Sequence, residues 1–279
     1  MPTYIHLVRH AQGFHNLCAA NHSLPDPDLT PLGNTQCATL AQSFPFQSQI
    51  THLVASPLRR TIYTCLLSFA PALQQQQQNT TTSQDGEEKK NPLVVIALPE
   101  LQEVSPLPCD TGSDIAALTA EFGPRGDVDL ALVRAVAAEW TVKTGESRFA
   151  PVMERLEARA RAARVWLREL GARFERENPG VDAHVGVVTH GGFLHFLTQD
   201  WDGMNPQAGT GWANTEWRSY EFVEGVGSAD GEARLRETGE SWRRRRGSAT
   251  GLTETEQMEL RVAVEGQLVE EWGVDGGKV

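Results

Sequence analysis

Four clusters of reactive side chains stand at or just beyond the ends of short apolar runs: Arg9-His10 with Asn16, Ser56 with Arg59-Arg60, Glu103, and His190-Gly191-Gly192. Together they hold two imidazoles, at least two guanidiniums, a carboxylate and a glycine-rich helix start. That inventory suits phosphoryl transfer. A neutral imidazole is a good nucleophile toward phosphorus, and a covalent phosphohistidine splits one hard displacement into two easier ones. Guanidiniums bind phosphate oxygens in pairs and stay charged at any working pH. The second imidazole and backbone N–H groups at a helix start are fixed donors for charge spread over the equatorial oxygens. A carboxyl group can protonate the leaving oxygen and then take a proton from water. Glu103 fits that task, and Glu100, in a similar Leu-x-Glu frame, competes for it. The set calls for no metal and no other cofactor.

Elements that would position these clusters are legible in the hydrophobic pattern. Tyr4 to Val8, His52 to Ala55, Leu93 to Leu98 and His184 to Thr189 are apolar runs of strand length, each ended by polar residues or proline. Leu58 to Leu73 carries a helix-period apolar face, as do Val128 to Val142, Pro151 to Glu177 and the short Phe193 to Leu197. Strands alternating with helices predict a three-layer α/β/α fold with a central, mainly parallel sheet. Ligands of such sheets bind beyond the carboxyl ends of the strands, so the four clusters should converge. Ser105 to Ser113, following Glu103, is expected to wall the pocket or to form a rigid turn with Asp110 or Ser113 as a helix cap.

The chain of 279 residues has a formal charge of −11 and 40% hydrophobic residues, which suits a globular protein and argues against nucleic acid as main partner. No run reaches the length of a membrane span, and Met1 to His10 lacks the apolar core of a secretory signal. A cytoplasmic or nuclear protein with no membrane partner is the expectation, and oligomeric state is left open. Cys18, Cys37, Cys65 and Cys109 form no CxxC pair and read as reduced thiols. Residues 74–91 are polar and low in complexity, predicting a disordered insertion. Residues 1–225 then form the catalytic domain. Residues 226–279 are read as an appendage, with Arg243 to Arg246 a solvated linker and Thr253 the cap of a final amphipathic helix.

Arg9-His10-Ala11-Gln12-Gly13-Phe14-His15-Asn16 resembles, in a fungal-type form, the signature of the histidine phosphatase superfamily, the phosphoglycerate-mutase-like group. Leu29-Thr30-Pro31-Leu32-Gly33 with Gln36, Ser56 to Thr61 with Thr64, Leu101-Gln102-Glu103 and Val187 to Gly192 support it in family order over about residues 3 to 200. The resemblance implies that His10 is the phosphorylated nucleophile and Glu103 the acid and base. It makes His190 the second imidazole, Arg9 and Arg60 the phosphate clamps, and Asn16 and Gly191 parts of the phosphate pocket. Ala11 stands where the commonest form has Gly, and Arg59 is read as a solvated neighbour of Arg60. The expected substrate is a small phosphomonoester, hydrolysed without metal. A phosphomutase, or a catalytically weak regulatory member, is the alternative. No basic residue follows Glu103 until Arg125, which favours hydrolysis unless Arg125, Arg134 or Arg148 folds back.

Overall fold

A computed structural model describes residues 2–81, 92–205, 209–223, 231–247 and 252–272. In chain order the elements are β1 (Thr3–Arg9), α1 (Pro31–Ser43), β2 (His52–Ala55), α2 (Arg59–Ser68), α3 (Ala70–Thr81), β3 (Val95–Ala97), α4 (Ile115–Phe122), β4 (Val128–Asp129) and α5 (Ala131–Ala135). There follow α6 (Met153–Glu177), β5 (Ala183–Thr189), α7 (Gly191–Thr198), β6 (Trp217–Phe222), β7 (Leu235–Glu237), α8 (Gly239–Arg246) and α9 (Glu254–Trp272). The strands form one sheet in the order β4-β3-β2-β5-β1-β6-β7. Pairs from β4 through β1 are parallel, and β6 and β7 add an antiparallel edge.

Side chains alternate across a strand, so a strand covered on both faces must be apolar throughout. Ile5, Leu7, Val54, Val185 and Val187 face a core closed by Leu156, Leu167, Phe193 and Leu197 of α6 and α7. Val8, Leu53, Ala55 and Val188 face the other core, with Leu40, Ile62, Cys65 and Phe69 from α1, α2 and its cap. The result is the α/β/α sandwich expected from the sequence. In the middle of the sheet, β1 lies between β5 and β6, and β5 between β1 and β2, so the cluster-bearing strands are neighbours.

Several elements differ from the sequence reading. Leu58 to Leu73 is broken at Phe69, because Pro71 lacks the N–H that a continuing helix would need. Residues 74–81, expected to be disordered, continue α3. Glutamine is a fair helix former, and adding turns to a helix already nucleated against the core costs little. The rest of that insertion, 82–91, lies outside the described residues. The helix expected over Val128 to Val142 is a two-residue strand and the five-residue α5, followed by turns. Trp140, fully buried, pulls those turns inward, so tertiary packing overrides the local periodicity. Beyond residue 226, β7 extends the sheet, and Val264 and Leu268 of α9 enter the first core. The basic run is helical in α8: Arg245 pairs with Glu237 at 2.7 Å, and Arg244 lies over the Trp217 ring at 3.5 Å. Thr253 caps α9, with Glu256 answering its N–H at 2.7 Å.

Candidate active site

β1 and β5 end side by side, and each releases an imidazole at the next residue. His10 continues the ladder by one bond, its N–H donating to Thr189 O at 2.9 Å, and His190 caps α7 directly after β5. The two rings lie 5.2 Å apart between centroids. The loop after His10 is held over α1 and α2: Ala11 N–H donates to Thr64 Oγ1 at 3.0 Å and Gln12 N–H to Gln36 Oε1 at 2.8 Å. Thr30 caps α1 through Gly33 N–H. At Gly33 a Cβ would come within 2.2 Å of the Gln12 carbonyl, so only glycine lets the loop pass this closely. Asn16 Oδ1 accepts from Gly13 N–H at 3.0 Å and fixes the same loop. Asn214 Nδ2 donates to His10 O at 2.9 Å.

Hydrogen bonding settles the tautomers of both rings. His10 Nδ1 is 2.7 Å from the Ala11 carbonyl, which can only accept, so Nδ1 carries the proton and Nε2 keeps its lone pair. His190 Nδ1 faces Arg60 Nη2 at 3.0 Å, and a guanidinium can only donate, so the proton of His190 is on Nε2, 2.9 Å from Ser56 Oγ. Burial holds both imidazoles well below their ordinary pKa, and Arg60 pushes in the same direction. Both rings are neutral, one poised to attack and the other to donate.

Arg60, fully buried on α2, is aimed by Asp110 at 2.9 Å and by the Cys109 carbonyl. Arg9 is fixed by a hydrogen bond to Trp212 O. Glu103 lies against the start of α7, accepting from Gly192 N–H at 3.1 Å and Phe193 N–H at 2.8 Å. Burial and then the neighbouring Asp110 raise its pKa, against the opposing pull of the Val104 and Gly192 N–H groups and Arg60. Helix-start N–H groups assigned from sequence to the phosphate are thus in part taken by this carboxylate. Gly191 is the first residue of α7, directly after His190.

The competing residues go elsewhere. Glu100 pairs with Arg148 at 3.0 Å, and Arg125 with Asp127 at 2.9 Å. Arg59 is no solvated neighbour: it binds Glu121 at 2.7 Å and Asp28 at 3.0 Å, which raises its pKa. His15 is buried with its ring 5.3 Å from that of His10. Two cations that sequence reasoning missed meet at the Glu103 carbonyl: Lys143 Nζ at 3.0 Å and Arg159 Nη2 at 3.3 Å. They come from a turn and from α6, 40 and 56 residues along the chain, where no motif spacing points to them.

Residues 5–82 match the family model of the histidine phosphatase superfamily (branch 1). That match spans β1 to the end of α3 and takes in Arg9, His10, Asn16 and Arg60, so this part of the chain is similar to the histidine phosphatase superfamily. No curated protein matches it in sequence. Among solved structures it is similar to a mycobacterial glucosyl-3-phosphoglycerate phosphatase, at 21% identity over 85% of this chain and 97% of that one, TM-score 0.45. It is also similar to a phosphoglycerate mutase from Bacillus anthracis, at 14% identity over 85% and 92% of the two chains, TM-score 0.46. An ecdysone phosphate phosphatase from Bombix mori, in complex with tungstate, is 14% identical over 92% and 99%, TM-score 0.48.

Proposed function

We propose that this chain is a phosphomonoester hydrolase working through a covalent phosphohistidine at His10. The observation that carries the reading is the His10 tautomer: with Nδ1–H tied to the Ala11 carbonyl, Nε2 offers a lone pair in a buried pocket shared with Arg9, Arg60 and His190. In the first step Nε2 attacks phosphorus, the N–P bond forms, the P–O bond to the leaving group breaks, and Glu103 gives that oxygen its proton. Burial keeps the Glu103 carboxyl protonated to higher pH than an exposed glutamate, as an acid requires. In the second step water attacks phosphorus, Glu103 takes the water proton, and the N–P bond breaks to release inorganic phosphate. Arg9 and Arg60 hold the oxygens throughout, the Nε2–H of His190 exchanges Ser56 Oγ for a phosphate oxygen when substrate binds, and no step calls for a metal. Small phosphomonoesters are the substrate class. Asn16 shapes the loop under the phosphate and Gly191 the helix start beside it.

Labelled substrate quenched during turnover should leave acid-labile, alkali-stable phosphate on the wild type and none on His10→Ala. Equal labelling of both would overturn the reading. Glu103→Gln should slow an alkyl phosphate about 10²-fold or more, and p-nitrophenyl phosphate far less, because nitrophenolate leaves without a proton. Equal slowing of both substrates would remove Glu103 from proton transfer. A mutase reading has one observation in its favour, the charge that Lys143 and Arg159 bring to the Glu103 wall. Rapid interconversion of 3- and 2-phosphoglycerate, with far slower phosphate release, would establish it instead.

A further inference from the structure

Lys143 is the one lysine among the described residues, and its side chain is buried at 6% exposure. Its hydrogen bond is to the Glu103 carbonyl at 3.0 Å, and among the described residues no carboxylate lies within ion-pair distance of it. Arg60, equally buried, has Asp110 at 2.9 Å. An ammonium has three donors, so one bond to a carbonyl leaves two to be used. Burying a cation without a counter-charge is costly, and the cost is relieved when an anion arrives. The turn that delivers Lys143 is locked in place. Trp140 lies so close to Gly112 that a Cβ there would fall 2.1 Å from its ring, and its carbonyl accepts from Gln102 Nε2 at 3.0 Å. The Lys143 charge acts on Glu103, Asp110, Arg60, Arg159 and His190, the groups that surround the reacting phosphate in the reading above.

We propose that Lys143 is an oxyanion-binding residue of this pocket: tied to the chain at the Glu103 carbonyl, its ammonium gives its remaining donors to an oxygen of the bound phosphomonoester beside Glu103 and His190. The proposal rests on the phosphoryl-transfer reading of the site and deepens it. Around Lys143, Glu103 and Asp110 come from the loop after β3, Arg60 from α2, Arg159 from α6 and His190 from the start of α7. Burial brings its pKa down to about 7, with Arg159 and Arg60 pushing the same way and the two carboxylates against. A bound dianion favours the charged ammonium, so anion affinity is full below about pH 7 and falls as pH rises and the free enzyme loses that proton. Ionisation of Glu103 would weaken anion binding in the same direction, so the two groups must be separated.

Calorimetric titration with sulfate, a dianion throughout this range, tests the proposal without requiring turnover. Wild type should lose affinity above neutrality by up to about tenfold per pH unit. Lys143→Arg, whose charge does not titrate there, should bind with a flat profile. Lys143→Met should bind about tenfold or more weakly below neutrality and also be flat, while Glu103→Gln should keep a falling profile, displaced toward lower pH by loss of the carboxylate that favours the ammonium. Wild-type affinity and pH dependence in Lys143→Met would overturn the proposal. So would a profile that persists in Lys143→Arg and vanishes in Glu103→Gln, or a wild type that binds no sulfate. If Lys143→Met fails to fold, as shown by its melting curve, Lys143→Arg decides alone. A protein that binds sulfate as described yet forms no phosphohistidine would retain Lys143 as an anion site and lose the hydrolase reading.

Discussion

β1 and β5 carry two pairs of imidazoles, one within the sheet and one just past its end. His6 and His184 meet at 3.0 Å, Nε2 to Nδ1, with Ser219 Oγ at 2.8 Å on the other side of His6 and the Phe46 ring stacked at 4.8 Å. His10 and His190 are as deeply buried and similarly close. Burial lowers the pKa of all four, that of His6 to about 3. What differs is the company. Charged neighbours act on His10 and His190 from Arg60, Arg9 and Lys143, whereas among the described residues His6 feels His184 alone. The inner pair is spent on each other and on a hydroxyl. In the outer pair, His10 Nδ1 is bonded to the Ala11 carbonyl, and among the described residues no hydrogen bond takes the lone pair of Nε2. A buried neutral histidine becomes chemistry where the strand stops and fixed cations surround the ring.

Exchanging the pairs gives the largest contrast. His10→Ala should cut turnover on the order of 10⁴-fold or more, as for any member of a unit acting together. His6→Gln should leave turnover of the folded protein within about twofold and lower stability by about 1–3 kcal/mol, through the changed bonds to His184 and Ser219. Steady-state kinetics and denaturant melts on both variants check this. A comparable loss of turnover in both would erase the distinction.

Charge around the outer pair can be lowered selectively. Asp110→Asn leaves Arg60 buried without its carboxylate and should cost about 3–5 kcal/mol of stability. It also removes a negative neighbour that raises the Glu103 pKa. The alkaline limb of turnover on an alkyl phosphate, which in the proposed mechanism needs protonated Glu103, should then move to lower pH. An unmoved limb would show that Asp110 acts only through Arg60.

A smaller effect belongs to the inner pair. The folded pKa of His6 is depressed, so between the unfolded value near 6.5 and about 3 the unfolded chain binds the extra proton and stability falls as pH falls. The slope from this one group is about 1.4 kcal/mol per pH unit. Melts from pH 6 downward should show a shallower loss in His6→Gln than in wild type.

Sequence made the outer pair legible because strand ends are marked by an abrupt change from apolar to polar, as at Val8-Arg9-His10 and Val188-Thr189-His190. Adjacent strands carry those ends, so convergence followed from the sheet type alone. Lys143 and Arg159 were not legible, since each reaches Glu103 through packing of distant segments, Trp140 against Gly112 and α6 against the Gln102-Glu103 backbone. The fate of Arg59 was hidden for the same reason, its partners Glu121 and Asp28 being 62 and 31 residues away. The helix missed at 74–81 and the helix wrongly expected at 128–142 are opposite errors of one kind: local composition was outvoted by the packing of neighbouring residues.

The sheet order has a consequence for how the molecule is made. Among the described residues β1 pairs with β5 and β6, Val8 with Val188 and Trp217, so it leaves the ribosome at least 180 residues ahead of either partner and waits for them. At about 5–20 residues per second that wait is roughly 10 to 40 s. Until then β2, β3 and β4 have only each other, and β1, with its apolar Ile5, Leu7 and Val8, stands with both edges bare, a target for chaperones or for another nascent chain. The arrival of β5 closes the gap between β1 and β2 and brings His190 to His10 in the same event, so the pocket around His10 takes shape at the moment the sheet becomes whole.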